Sequence, residues 1–180
     1  MGLDQNLYRT TKKRWEAMKD YERRSEGYRN AVDEAAEKEG WWQFLNELPR
    51  TGTGGFDREA FTGEQKARLD DIWSRCATFA QDAGVSVDIS GIWPLFDPER
   101  YNLGEEDTVE ELCYWRKNWP LHEFIANNFL EPGAEDNCVD IPLDRDAVKK
   151  IIDAGFGDES FGKALYHLAA GDVVYYYPWY

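Results

Sequence analysis

The 180-residue sequence predicts an α+β fold, a mixed sheet with helices packed on it plus a helical insertion, and three observations carry that prediction. Segments with apolar residues at steps of three and four recur along the chain, and short runs of period two lie among them. The two kinds interleave without a strict βαβ rhythm, which favours a mixed sheet over a parallel one. Hydrophobic residues make up 42% of the chain and aromatic ones 15%, too much for a disordered acidic tail and enough for a core.

Leu3 to Tyr8 alternate as a short strand does, and Thr10-Thr11 suits a helix N-cap. Trp15, Met18, Tyr21, Ser25, Tyr28, Val32 and Ala35 then form the stripe of a long helix, weakened at Gly27 and stopped at Gly40. Trp41 to Leu45 is an aromatic patch read as a core lid. The glycine-rich stretch Gly52 to Gly63 reads as an exposed, mobile connection; Thr51-Gly52-Thr53-Gly54-Gly55 lacks the Lys-Ser or Lys-Thr of a phosphate loop. A second helix from Gly63 to Ala83 presents Leu69, Ile72, Trp73, Cys76 and Phe79, with Gly84 as its stop, and Val85 to Ile89 alternate as a strand.

In the last third, Glu111 to Trp115 reads as a strand, and Pro120 opens a helix that Glu131-Pro132-Gly133 breaks. Cys138 to Ile141 reads as a short strand and Asp144 as the cap of a helix through Ile152. Phe161 to Ala170 forms the last helix, stopped by Gly171. Val173 to Tyr177 is a strand apolar enough to be buried on both faces.

The 21 Lys and Arg face 35 Asp and Glu, and the net charge of −14 lies wholly after residue 50. Such a surface repels nucleic acid and anionic membrane and favours basic partners. The alternative is an acidic protein whose charge serves solubility alone. Cys76, Cys113 and Cys138 are odd in number and lack CxxC spacing, so a reducing, cytoplasmic compartment is expected. No run approaches the roughly 18 apolar residues of a membrane span, and Asn6 stands where a myristoylation signal has Ser or Thr.

Three segments taken in order, Met1-Gly2-Leu3-Asp4-Gln5-Asn6-Leu7-Tyr8-Arg9, Tyr114-Trp115-Arg116-Lys117 with Leu121-His122-Glu123-Phe124, and Val174-Tyr175-Tyr176-Tyr177-Pro178-Trp179, resemble a family of small phage and prophage proteins without assigned chemistry. That family pairs an N-terminal MGLD strand with a YWRK strand, a helix carrying an Ile-His or Leu-His pair, and a C-terminal Tyr-Tyr-x-x-Trp strand. The resemblance implies a phage origin and action in a bacterial cytoplasm. It covers residues 1–9 and 110–180, so residues 10–100 are expected as a helical insertion into an α+β core formed by 1–9 and 101–180, the whole a single domain.

Two sets of candidate residues follow. Asp4, Tyr114, Arg116, Lys117 and His122 are expected to converge on one crevice, with His122 as acid or base and Arg116 or Lys117 holding an anion. Their structural reading is core and surface pairing. Glu105, Glu106, Asp107, Glu110, Glu111, Glu135 and Asp136 flank the YWRK strand and its helix, and with Tyr177 and Trp179 they suit a partner that binds phosphates. No metal or cofactor is expected: His122 and His167 are far apart, and Glu135-Asp136-Asn137 with Asp140 lacks EF-hand spacing. The expected function is that of an acidic interaction protein inhibiting a basic, nucleic-acid-binding host protein, such as a CRISPR-type defence nuclease complex, without itself binding nucleic acid or membrane. A small enzyme or nucleotide-binding protein is the alternative.

Overall fold

The computed structural model describes residues 2–88 and 92–180. In chain order the elements are β1 (Asp4–Thr10), α1 (Lys12–Glu39), α2 (Trp41–Glu47), α3 (Gly63–Ala83), β2 (Ser86–Val87), β3 (Pro94–Leu95), β4 (Val109–Arg116), α4 (Trp119–Phe129), β5 (Ile141–Leu143), α5 (Arg145–Ile151), α6 (Glu159–Ala170) and β6 (Val173–Trp179). The class is α+β. The contacts divide the chain into two compact units rather than one, Met1–Glu16 with Asn102–Tyr180, and Ala17–Tyr101. The first division falls inside α1, after its first turn.

The discontinuous unit holds a four-stranded sheet in the order β4-β1-β6-β5. Every neighbouring pair is antiparallel, where the sequence suggests a mixed sheet. The connection from β5 to β6 illustrates why: two successive helices, α5 and α6, lie between them, and three reversals of direction return the chain antiparallel. Leu7, Ile141, Leu143, Val174 and Tyr176 face one side and pack with Leu121 and Ile125 of α4, Val148 and Ile151 of α5, and Phe161 and Ala164 of α6. Asp144 caps α5 by accepting from the Ala147 N–H at 2.8 Å. Both Tyr175 and Tyr176 are buried, the latter in this core and the former on the opposite face under Trp15, whose ring centroid lies 5.1 Å away. The strand expected over Cys138 to Ile141 instead runs Ile141–Leu143. Cys138 adopts φ 56, and its N–H donates to Pro178 O at 2.8 Å outside any ladder. Pro142 at the centre of β5 is tolerated because β5 is an edge.

The continuous unit is built on α1 and α3. Tyr28, Val32 and Ala35 of α1 share a core with Leu69, Ile72, Cys76 and Ala80 of α3, closed by Trp41, Phe44 and Leu45 of α2. The Thr62 hydroxyl and the Gln65 side chain form a reciprocal capping box at the start of α3, and Gly84 ends it at φ 67. The stretch after Pro49 is bridged by backbone bonds. Thr51 and Gly55 are joined backbone to backbone at 2.8 Å, Asp57 N–H donates to Pro49 O at 2.9 Å, and Arg50 covers the Phe56 ring. Thr51 to Gly55 are exposed, as expected, and these bonds close them into a turn. Ser86–Val87 pair with Pro94–Leu95, and Ile89, the expected end of that strand, lies outside the described residues.

Candidate functional site

The YWRK strand joins Asp4, Tyr114 and Arg116 of the expected crevice and leaves His122 of the following helix apart. Alternation along β1 sends Leu3, Gln5 and Leu7 inward and leaves Asp4, Asn6 and Tyr8 on the open face of the sheet. On β4, Arg116 stands opposite Asp4, and Tyr114 opposite Asn6. The Tyr114 hydroxyl donates to Asp4 Oδ1 at 2.6 Å, and Arg116 Nε lies 3.8 Å from the same oxygen. That donation is the main reason the Tyr114 hydroxyl is held above its ordinary pKa. Lys117 turns out of the strand at φ 59, its N–H donating to Leu3 O at 2.7 Å. A crevice of about 330 Å³ is lined here by Gly2, Asp4, Arg116, Trp179 and Tyr180.

His122 is not part of it. Located one turn into α4, it is 3% exposed and faces the inner side of the sheet. It joins a buried polar network. The Asn118 N–H donates to Gln5 Oε1 at 2.9 Å, while Gln5 Nε2 donates to Asn118 O at 2.9 Å, so the orientation of the Gln5 amide is determined. The second hydrogen on Nε2 goes to the Tyr176 hydroxyl at 2.8 Å. The Tyr176 hydroxyl also lies 3.2 Å from His122 Nδ1, within hydrogen-bond distance. The other ring nitrogen, Nε2, lies 3.4 Å from Asp136 Oδ2. The other oxygen of Asp136 accepts from the Tyr180 hydroxyl. That bond is the largest influence holding the Asp136 carboxyl below the usual range, and in turn it pushes the Tyr180 hydroxyl up to about 12. Burial first, with nearby charge adding to it, raises Tyr176 as well.

Both nitrogens of His122 thus have a polar neighbour, and the ring is buried. The crevice expected around Arg116, Lys117 and His122 does not assemble: Arg116 lines an opening with Asp4, whereas His122 is buried beside Tyr176 and Asp136. Gln5, Asn118, Tyr176 and Tyr180 are the members of this network that sequence reasoning missed. One signal was available, a Gln in the inward phase of a strand whose neighbours in that phase are Leu3 and Leu7.

The acidic candidates divide by exposure. Glu105 and Glu106 are exposed in the turn before β4, and Glu135 is exposed after α4. Glu110 pairs with Arg9 at 2.6 Å, and Glu111 accepts from Asn6 Nδ2 at 2.6 Å, both at the surface. Asp107 departs from the expected outward position. Its side chain is 5% exposed and accepts from the Gly104 N–H at 3.0 Å, Thr11 Oγ1 at 2.7 Å and Lys13 Nζ at 3.0 Å. These bonds, the Gly104 N–H foremost, lower its carboxyl to about 2. It fastens the turn and is not free for a partner. Asp136 is likewise committed to His122 and Tyr180. Tyr177 is half-buried, whereas Trp179 is 58% exposed and Tyr114 50%.

Among the described residues no group of three His, Cys, Asp or Glu side chains is gathered as a metal ion requires, and no helix is long and apolar enough to cross a membrane. Compared with protein-family models, with curated proteins and with solved structures, the chain gives no match.

Proposed function

We propose that this chain is a phage-type acidic interaction protein that binds and inhibits a basic, nucleic-acid-binding host protein in the bacterial cytoplasm, its target being a defence nuclease complex of the CRISPR-effector kind. The observation that carries the reading is the surface leading onto β4, where Glu105, Glu106, Glu110 and Glu111 are all exposed and lie in sequence with the exposed ring of Tyr114. Carboxylates steer a basic partner, and aromatic rings supply anchors that buried area alone does not. Against the enzyme reading, His122 is buried and lies outside the crevice lined by Asp4 and Arg116.

Tagged protein is to be used for capture from a bacterial host lysate, beside a variant with Glu105→Lys and Glu106→Lys. A basic nucleic-acid-binding protein is expected with the wild type and is expected to be depleted with the variant. Its association rate should fall as salt rises, because charges separated by more than about 10 Å are screened at 0.1 M. Capture indifferent to both charge reversal and salt would remove the reading.

A further inference from the structure

We propose that the outer edge of β4 is the docking site of that partner, which adds an extended basic segment there as a further strand; this rests on the interaction reading above. The sheet has two edges, and they are built differently. β5 is three residues long with Pro142 at its centre, a residue that has no N–H to give a new strand. β4 is eight residues long and contains no proline. Among the described residues it pairs with β1 alone, so its outer row of N–H and C=O groups has no ladder partner. Five of its residues, Val109, Glu110, Glu111, Tyr114 and Arg116, are exposed.

Uncovered edges of this length recruit other strands, and proteins keep wrong ones away with charge and bulges. Both devices are present. The register with β1 slips between Leu7 and Tyr8, leaving Leu112 as an extra residue on β4. The bulge separates an acidic half, Val109 to Glu111, preceded by Glu105 and Glu106, from an aromatic half, Cys113 to Arg116. A second copy of the chain brings its own net charge of −14 to the contact and is repelled. A strand with Lys or Arg over one half and apolar residues over the other is complementary to both. Main-chain bonds would give the affinity and the alternating side chains the selectivity.

The probe is a blocked peptide of about ten residues, Lys-Val repeats followed by Thr-Val repeats, an extended length comparable with β4. Its binding to the full chain is read by titration and by amide hydrogen exchange. The expected result is binding with at least a tenfold slowing of exchange at β4 amides. An analogue N-methylated at alternate residues along one edge should bind at least tenfold more weakly, as should the plain peptide to an E110K/E111K variant. The N-methyl comparison uses unaltered protein, so it holds even if the variant is unstable. No binding, equal binding of the methylated peptide, protection elsewhere than β4, or β4 protection from self-association alone would overturn the proposal. If lysate capture remains charge-dependent while β4 stays unprotected, the edge assignment fails and the interaction reading stands. Charge-independent capture sinks that reading whatever the peptide does.

Discussion

Tyr176 is the pivot of the polar network in the sheet core, since its hydroxyl accepts the hydrogen of Gln5 and pairs with His122 Nδ1 at 3.2 Å. Replacing it with Phe leaves a buried amide hydrogen and an imidazole nitrogen without partners, which costs about 1–3 kcal/mol. Denaturant unfolding should register that loss for Tyr176→Phe and almost none for Tyr166→Phe, whose ring is 72% exposed. Asp107 gives a different signature. Its carboxyl is lowered from 3.8 to about 2 in the fold, so its contribution to stability is present above about pH 4 and disappears as pH falls toward 2. Asp107→Asn should therefore be less stable than the wild type at neutral pH, with the gap closing across that acid window; a gap constant with pH would contradict the assignment. Neither role was legible locally. Gln5 and Tyr176 lie at opposite ends of the chain, and a run such as Glu105-Glu106-Asp107 gives no sign that its third member turns inward.

At the scale of elements the glycines of the helices test the reading of helix ends. Gly27 lies mid-helix in α1, exposed, and a Cβ added there meets nothing within 4 Å. Gly27→Ala should stabilise the chain by about 0.5–1 kcal/mol by restricting the unfolded state. Gly84 caps α3 at φ 67, and a Cβ there would lie 2.5 Å from Arg24 Nη1. Gly84→Ala should destabilise by about 1 kcal/mol or more. Thermal melts of the two variants should move in opposite directions. The helices were the most legible part of the sequence because their stripes are long: Tyr28, Val32 and Ala35 are buried as their spacing indicates. Short strands were less so. β5 was displaced by two or three residues because Pro142 disguises it, and the glycines after Pro49 announced an exposed stretch without the backbone bonds that close a turn in it.

At the scale of the whole molecule the sequence placed the junctions near residues 10 and 100, and the contacts place them after Glu16 and after Tyr101. The difference has a physical source: Thr11, Lys13 and Arg14 fasten the turn around Asp107, which ties the start of α1 to the unit of the sheet. Charge is shared more evenly than counting from residue 50 suggests, with 18 acidic against 10 basic groups in the discontinuous unit and 17 against 11 in the other. The adjacency of β1 and β6 has a consequence in time. All seven residues of β1 pair with β6, yet residues 11–172 separate the two strands. Closing so long a loop is slow, and a ribosome delivers the N-terminal strand well before its neighbour exists. The stretch from Ala17 to Tyr101, continuous in sequence, can order while β1 still waits. Pulse-labelled hydrogen exchange during refolding should find amides of α1 and α3 protected before those of β1. Simultaneous protection would mean that the last strand to be synthesised does not set the pace for the sheet.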